Sequence, residues 1–337
     1  MYIFFNDFTK GRAMTKVYEV PGAQLEIVGK DPIYIEQFNL TIGYDSPARL
    51  NCTIIPLSEE ENMSFAGEGY NLLLETGENL GLWYPERITY TFDRIEISLF
   101  SIMQVLDFYP IINDDSEDGC YHFDTSKTLQ DVINTIISSL PGLGYNINLS
   151  DKLKTLKLPS EKKYGNGESL LSILRDIADF SGAVMYDNIF YARVDIITPT
   201  SKLTPGAPAG GKYYEDYVMN VATSYTNEFL YSQVFVRDTD GGLLRPVKKY
   251  SYKPYPYNKR AIFYTYRGLL DATKANVIAQ RIMDALQIGD EQETIECLGF
   301  IPALPFDPMR SGFILDVNYS YAYNENPFLY TTIRIAK

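Results

Sequence analysis

The sequence is poor in the residues that most often carry chemistry or bind metal. Its 337 residues include one histidine, His122, and three cysteines, Cys52, Cys120 and Cys297. Any serine or cysteine triad would have to run through that single imidazole. The cysteines are odd in number and widely spaced, so they suggest neither a disulfide framework nor a Cys-x-x-Cys clamp, and a reducing folding compartment fits best. Positive charge is also scarce: 30 Lys+Arg against 43 Asp+Glu leave a net charge of -13 at pH 7. No overall basic field is available to hold nucleic-acid phosphates. Such acidity suits a surface past which DNA slides without sticking. No apolar run approaches the roughly 18 residues of a membrane span. The N-terminus lacks a cationic start and meets Asn6 and Asp7 before any signal-length apolar run. A Walker loop, a GxSxG elbow and an HExxH pair are all missing. The expectation is a chain with no catalytic residues and no cofactor.

What is present is aromatic, and above all tyrosine: 28 Tyr lift the aromatic share to 14%. Tyrosine couples a large apolar face to a polar tip, which suits half-buried sheets and wet subunit interfaces and argues against a helical bundle. Hydrophobic content of 45% and charged content of 22% are ordinary for a folded chain. At this length two or three domains are expected.

Hydrophobic periodicity divides the chain. From residue 17 to about 109 the period is two: Phe38, Leu40 and Ile42, then Leu50, Cys52 and Ile54, then Ile95, Ile97 and Leu99 alternate with polar residues. Breaks at Pro21-Gly22, 43–47 and 77–81 separate these strands, as in an antiparallel barrel or sandwich. After an acidic loop, 113–119, the spacing of Leu129, Val132, Ile133, Ile136, Ile137 and Leu140 becomes helical. Thr128 and Asp131 resemble a capping box, and Pro141-Gly142 ends the helix. A second helix carries Leu170, Leu171, Leu174, Ile177 and Ala178 and stops at Gly182, a left-handed cap, and Ile189 to Val194 reads as a strand. Pro, Gly and small residues mark a linker before β pattern resumes, with one helix near 271–288 closed by Gly289. The domain expectation is therefore 1–112 β, 113–198 an α/β insert, 199–212 linker and 213–337 β with that helix. The fold class is α+β, mostly β. Two β-domains of similar size suggest a structural duplication, although no sequence repeat supports it.

Three local features are weighed as sites. His122 lies two residues from Cys120, but one histidine without a second nearby ligand reads as an ordinary residue. Asp114, Ser116, Asp118 and Gly119 match the first half of an EF-hand loop, making Asp114, Ser116 and Asp118 a weak calcium candidate. Thr125 stands where the bidentate Glu should be, and no incoming helix precedes the loop, so a solvated turn is the plainer reading. The segment 248–260 sets cations among tyrosines in an acidic chain, which makes Tyr250, Tyr252, Tyr255, Tyr257, Lys259 and Arg260 interface candidates. It reads as an arm that docks on an acidic neighbour, as a single-strand binder, or as an edge that Pro254 and Pro256 keep from pairing.

The order β-domain, α/β insert, β-domain, with two stretches in particular, resembles the tail hub family. That family includes the late control protein D of contractile phages and the hubs of type VI secretion spikes and phage-derived bacteriocins. One stretch runs from Thr128-Leu-Gln-Asp-Val-Ile to Leu143-Gly-Tyr and on through Asn166-Gly-Glu-Ser-Leu-Leu-Ser-Ile-Leu-Arg-Asp-Ile-Ala to Ser181-Gly. The other is Ala275 to Ala285, then Gly299-Phe-Ile-Pro and Pro308-Met-Arg-Ser-Gly, where the family's Pro-Gly turn is interrupted. The resemblance implies two tube-like antiparallel β-barrels flanking the insert, so that three copies present six similar barrels. It further implies a structural hub of a phage-type tail or baseplate. This homotrimer would join a hexameric tail tube to a trimeric spike beside other baseplate or distal tail proteins. DNA would pass through its lumen without specific binding. Its place would be the virion tail, assembled in the host cytoplasm and away from membranes. Two competing expectations are a tail-associated cell-wall hydrolase using Asp or Glu, and a carbohydrate-binding adhesin whose tyrosines stack on sugars.

Overall fold

The computed structural model describes residues 2–6, 15–19, 22–26, 33–54, 69–74, 76–92, 94–140, 146–199, 217–225, 231–237, 243–249, 260–266, 270–285, 291–310, 312–323 and 326–336. The first third of the chain is all β: β1 (Tyr2–Asn6), β2 (Thr15–Glu19), β3 (Ala23–Glu26), β4 (Ile33–Tyr34), β5 (Gln37–Gly43), β6 (Arg49–Ile54), β7 (Tyr70–Leu74), β8 (Asn79–Tyr90) and β9 (Ile95–Phe100). The middle third mixes α1 (Ile102–Val105), β10 (Pro110–Ile111), β11 (Cys120–Phe123), α2 (Leu129–Ser138), β12 (Asn146–Leu149), α3 (Asp151–Lys154), β13 (Lys162–Gly165), β14 (Glu168–Ser169), α4 (Leu170–Ser181), β15 (Val184–Asn188) and β16 (Arg193–Ile197). The last third returns to β with one long helix: β17 (Val218–Tyr225), β18 (Gln233–Arg237), β19 (Leu243–Lys249), β20 (Ala261–Thr265), α5 (Ala272–Ala285), β21 (Glu291–Leu298), β22 (Pro308–Met309), β23 (Gly312–Ala322) and β24 (Asn326–Ala336).

The β-rich ends of the chain share one twelve-stranded sheet, ordered β17-β21-β24-β23-β5-β6-β9-β8-β7-β3-β4, with β22 paired to β23. Its centre is a joint between the halves, where β23 and β5 pair antiparallel from Asp316↔Gly43 to Ala322↔Gln37 and bring together Asn39 and Asn318, 279 residues apart in sequence. Around that joint the halves repeat one plan. In chain order the first contributes β5, β6, β8 and β9, ordered β5-β6-β9-β8; the second contributes β17, β21, β23 and β24, ordered β17-β21-β24-β23. Each half thus exchanges its third and fourth strands, so the duplication invisible in the sequence is present in the topology.

Alternation decides which face is dry. Along β5, Phe38, Leu40 and Ile42 are buried while Gln37, Asn39 and Thr41 are exposed, because successive side chains leave a strand on opposite faces. At the far end β8, β7 and β3 bring Trp83, Leu72 and Leu25 into the same core as Leu40, Leu50 and Ile97. In the second half, Ile301, Ala303 and Met309 lie in that core with Val317 and Ile333. Tyr319 pins that covering loop, donating its hydroxyl to Ile301 O at 2.9 Å and accepting from Ala303 N at 3.3 Å.

A second core holds the insert. Helix α2 starts with the expected capping box, the Thr128 hydroxyl accepting from Asp131 N and the Asp131 carboxylate accepting from Thr128 N. Helix α4 ends at Gly182 with φ 66°, the left-handed cap. The apolar run Ile189 to Val194 is not one strand. A single 3-10 turn, Ile189–Tyr191, and Ala192 at φ 45° separate β15 from β16. Strands β18 and β20 and helix α5, grouped by sequence with the second β-domain, pack here too: Val234, Val236, Tyr264, Ile278 and Ile282 share a core with Leu129, Leu171 and Ile177. A third, smaller core of Tyr186, Leu304, Phe306 and Leu315 ties insert and sheet together.

Candidate functional surface

The open face of the shared sheet is an extended polar surface that crosses the joint between the halves. In β5, β6 and β9 it carries Gln37, Asn39, Thr41, Asn51, Glu96 and Ser98 between buried apolar neighbours. In β23 the equivalent positions are Asp316, Asn318 and Ser320. Uncharged side chains bridge the strands. Asn318 Nδ2 donates to Asn39 Oδ1 and Thr41 Oγ1, both at 3.0 Å, so the bridge crosses the joint between the halves. Ser98 Oγ donates to Asn51 Oδ1 at 3.0 Å and Gln37 Nε2 to Thr53 Oγ1 at 3.0 Å. Of the three arginines on this face, two are held by acids: Arg49 lies 3.4 Å from Glu86, and Arg334 pairs with Asp316, its Nε donating at 2.6 Å, while Arg87 stands opposite Ser98. The face is concave, forming a groove lined by Asn39, Asn51, Arg87, Glu96, Ser320 and Tyr330. Such a wall offers many weak hydrogen bonds and no excess of positive charge to trap a polyanion.

The period-two pattern marked these polar residues as the wet face of a strand. It could not show that both halves join them into one groove, because pairing between β5 and β23 is not a local property of sequence.

The junction between sheet and insert rests on Asp187 of β15. Its buried carboxylate accepts from Ala48 N at 2.7 Å, Ser101 Oγ at 2.5 Å and Met103 N at 3.1 Å. Burial pushes its pKa up to about 6, against the pull of those three donors. Beside it, Asp45 N donates to Met185 O at 2.5 Å and Met185 N donates to Asp45 Oδ1 at 2.9 Å, which holds the turn after β5 on β15.

The sequence candidates fall elsewhere. Asp118 serves as an internal hydrogen-bond hub: it accepts from Ser116 Oγ at 2.7 Å, His122 Nε2 at 3.0 Å, Lys163 Nζ at 3.1 Å and Cys120 N at 3.2 Å. Chiefly the His122 contact, then Ser116 and Lys163, hold its carboxyl well below the usual range. Asp114 lies in the turn that Asn113 closes through its contacts with Gly119 O and Ser116 N. Among the described residues no three His, Cys, Asp or Glu side chains are placed to hold a metal ion. Of the interface candidates, Tyr250, Tyr252, Tyr255, Tyr257 and Lys259 lie outside the described residues. Arg260 stacks its guanidinium 4.4 Å from the Tyr231 ring, and its carbonyl accepts from Ser232 N at 2.9 Å. The tyrosines that reasoning from composition assigned to sheets and interfaces divide in two: Tyr70, Tyr164, Tyr186, Tyr266 and Tyr319 are fully buried, while Tyr34, Tyr90, Tyr217 and Tyr225 are more than half exposed.

No family model matches the sequence, and no curated protein matches it significantly. Solved structures do match in fold. The 43 kDa tail protein of prophage MuSo2 from Shewanella oneidensis is 14% identical with a TM-score of 0.64, over 93% of this chain and 98% of that one. The tail protein from Neisseria meningitidis MC58 is 11% identical, also with a TM-score of 0.64, over 95% and 97%. The E. coli c3393 protein, a component of the type VI secretion system, is 12% identical with a TM-score of 0.52, over 93% of this chain and 76% of that one. The chain therefore has the fold shared by phage tail proteins and a secretion-system component, as the resemblance in its sequence implied.

Proposed function

We propose that this chain is the structural hub of a phage-type tail or baseplate, a homotrimer that joins a hexameric tail tube to a trimeric spike. The observation that carries the reading is the repeated strand plan. Each chain contributes two like four-strand units side by side in one sheet, so three chains arranged about an axis offer six like units. A threefold object then meets a sixfold tube on one side and a threefold spike on the other. The fold likeness to tail proteins and to a type VI component points the same way.

The concave groove is the inner wall in this arrangement. Its Asn, Thr, Ser and Gln side chains are already bonded to one another across strands, and Arg49 and Arg334 are engaged by acids. DNA passes such a wall without being held. The chain acts by geometry and not by catalysis, and its place is the virion tail.

Native mass spectrometry of the purified chain, alone and with its spike, tests the proposal. A trimer in either sample is the expected result. A chain that stays monomeric with spike present overturns it, as does peptidoglycan cleavage abolished by replacement of one carboxylate.

A further inference from the structure

We infer that the outer edge of β17 pairs antiparallel with the distal part of β8 in a neighbouring copy of the chain, repeating between copies the joint that β23 and β5 make within one. This inference rests on the homotrimer reading and assigns its contact.

The strand plan identifies the two edges. The internal joint unites the third strand of the second half, β23, with the first strand of the first half, β5. The strands in corresponding positions are β8, third in the first half, and β17, first in the second. They stand at opposite ends of the eight-strand run from β17 to β8. Every neighbouring pair within that run is antiparallel. Eight is even, so the two end strands point in opposite directions. Copies set in a ring therefore meet antiparallel at each joint, with no change of pattern.

Both edges have the surface of unfinished strands. Among the described residues, no strand pairs with the outer edge of β17, and none with the outer edge of β8 beyond Trp83. Seven of the eight residues of β17 are exposed, whereas β5 and β23 of the same sheet bury every second residue along most of their length. Its exposed residues include Met219 at 59%, Val221 at 39% and Tyr225 at 76%. Val221 stands opposite Ile295, which is fully buried, so it lies on the dry side of the sheet and yet is 39% exposed. An apolar edge of this kind invites another strand.

The faces match as well. Ile88 stands opposite buried Ile97 on the dry side, and Thr89 opposite exposed Glu96 on the wet side. On β17, Val221, Thr223 and Tyr225 share the dry side, while Ala222 and Ser224 share the wet side. Pairing dry with dry continues the core and the polar groove across the joint. A slip of one residue would reverse both.

Disulfide scanning tests the pairing. In a Cys120→Ser background, with Cys52 and Cys297 buried, Ile88→Cys is combined in one chain with Val221→Cys, Thr223→Cys or Tyr225→Cys. Thr89→Cys is combined with Asn220→Cys, Ala222→Cys or Ser224→Cys, and Ile88→Cys with Ser224→Cys is the mismatched control. One dry-side partner should cross-link Ile88→Cys between copies at least about tenfold more than Ser224→Cys does, because directly opposed side chains approach most closely. The best partner of Thr89→Cys should lie one residue N-terminal to it, as antiparallel pairing requires. Trimers without any such cross-link, or partners that shift the other way, overturn the joint and leave the trimer standing. Absence of any trimer removes the hub reading itself. Hydrogen exchange supplies the second measurement: protection of β17 amides that appears only when a tail-tube protein is added assigns the edge to that protein and overturns the pairing between copies.

Discussion

Lys162 donates from Nζ to Asp176 Oδ2 across 2.6 Å, and neither side chain is more than 5% exposed. The pair is caged. Tyr164 and Tyr264 donate their hydroxyls to the same carboxylate at 2.7 and 2.9 Å, and the Lys162 ammonium lies 3.7 Å from the centre of the Tyr266 ring. Burial first, then the charge of Asp176, raises both phenols' pKa well above the ordinary value, so they stay protonated as donors. Because Tyr264 lies in β20 and Tyr266 just after it, while Lys162 and Asp176 belong to the insert, the cage fixes how β20 sits on the insert.

Lys162→Met strands a buried carboxylate and should cost about 3–5 kcal/mol. Removing both charges, as Lys162→Met with Asp176→Leu, should cost less than the two single changes added together. Urea denaturation of the three variants checks this. A double variant as unstable as that sum would show that the two charges are not coupled.

Gly182 ends α4 against the backbone of α5. A Cβ built there would lie 2.4 Å from Arg281 O, and φ is 66°. Gly182→Ala should therefore lose about 1–2 kcal/mol to the left-handed backbone and about 1–3 kcal/mol more to overpacking. Gly77→Ala is the control: its φ is 97° with nothing within 4 Å, so it carries only the first cost. Thermal unfolding that lowers both midpoints equally would contradict the close approach of the two helices.

Gly182 also shows what a sequence can and cannot reveal. Its role as a helix stop was legible because a cap depends on a few neighbouring residues, as does the Thr128–Asp131 box. The wet and dry faces of β5, β6 and β9 were legible for the same reason. The placement of β18, β20 and α5 was not, because the contacts of Tyr264 with Asp176 span 88 residues and no local pattern encodes them. Ile189 to Val194 misled because an apolar run fits a strand as well as a tight connection. Only the left-handed Ala192 separates the two. The groove shared by both halves lay beyond reach until β5 and β23 were paired.

Asp187 should make stability depend on pH. Its folded pKa is raised from 3.8 to about 6 by burial, so between those values the folded state binds more protons than the unfolded chain. Stability should then rise as pH falls from about 6 towards 4 and decline on the return, by up to about 3 kcal/mol for a shift of this size. Asp187→Asn should remove this share of the slope and leave the shares of Asp45, raised to about 6, and Asp179, raised to about 7, both chiefly by burial. It should also cost about 1–3 kcal/mol at neutral pH, since an amide cannot accept from Ala48 N, Ser101 and Met103 N all at once. Denaturation midpoints across pH 4 to 7 measure both effects, and an unchanged slope in the variant would assign the titration to another group.

The groove should tolerate acids and not bases. Asn39 and Asn51 are exposed on the wet side of β5 and β6, each accepting one cross-strand hydrogen bond, so replacing either should alter stability by no more than about 1.5 kcal/mol. Under the hub reading each replacement appears three times around the lumen. Asn39→Lys with Asn51→Lys would then set a ring of cations in the path of DNA, and ejection from assembled particles should slow, with recovery as salt rises and screens the phosphate contacts. Asn39→Asp with Asn51→Asp preserves the geometry and reverses the sign, so it should leave ejection close to normal. Comparing the two variants isolates charge from shape. If both slow ejection alike, or if the lysine effect ignores salt, the groove does not act on the passing polymer through its charge.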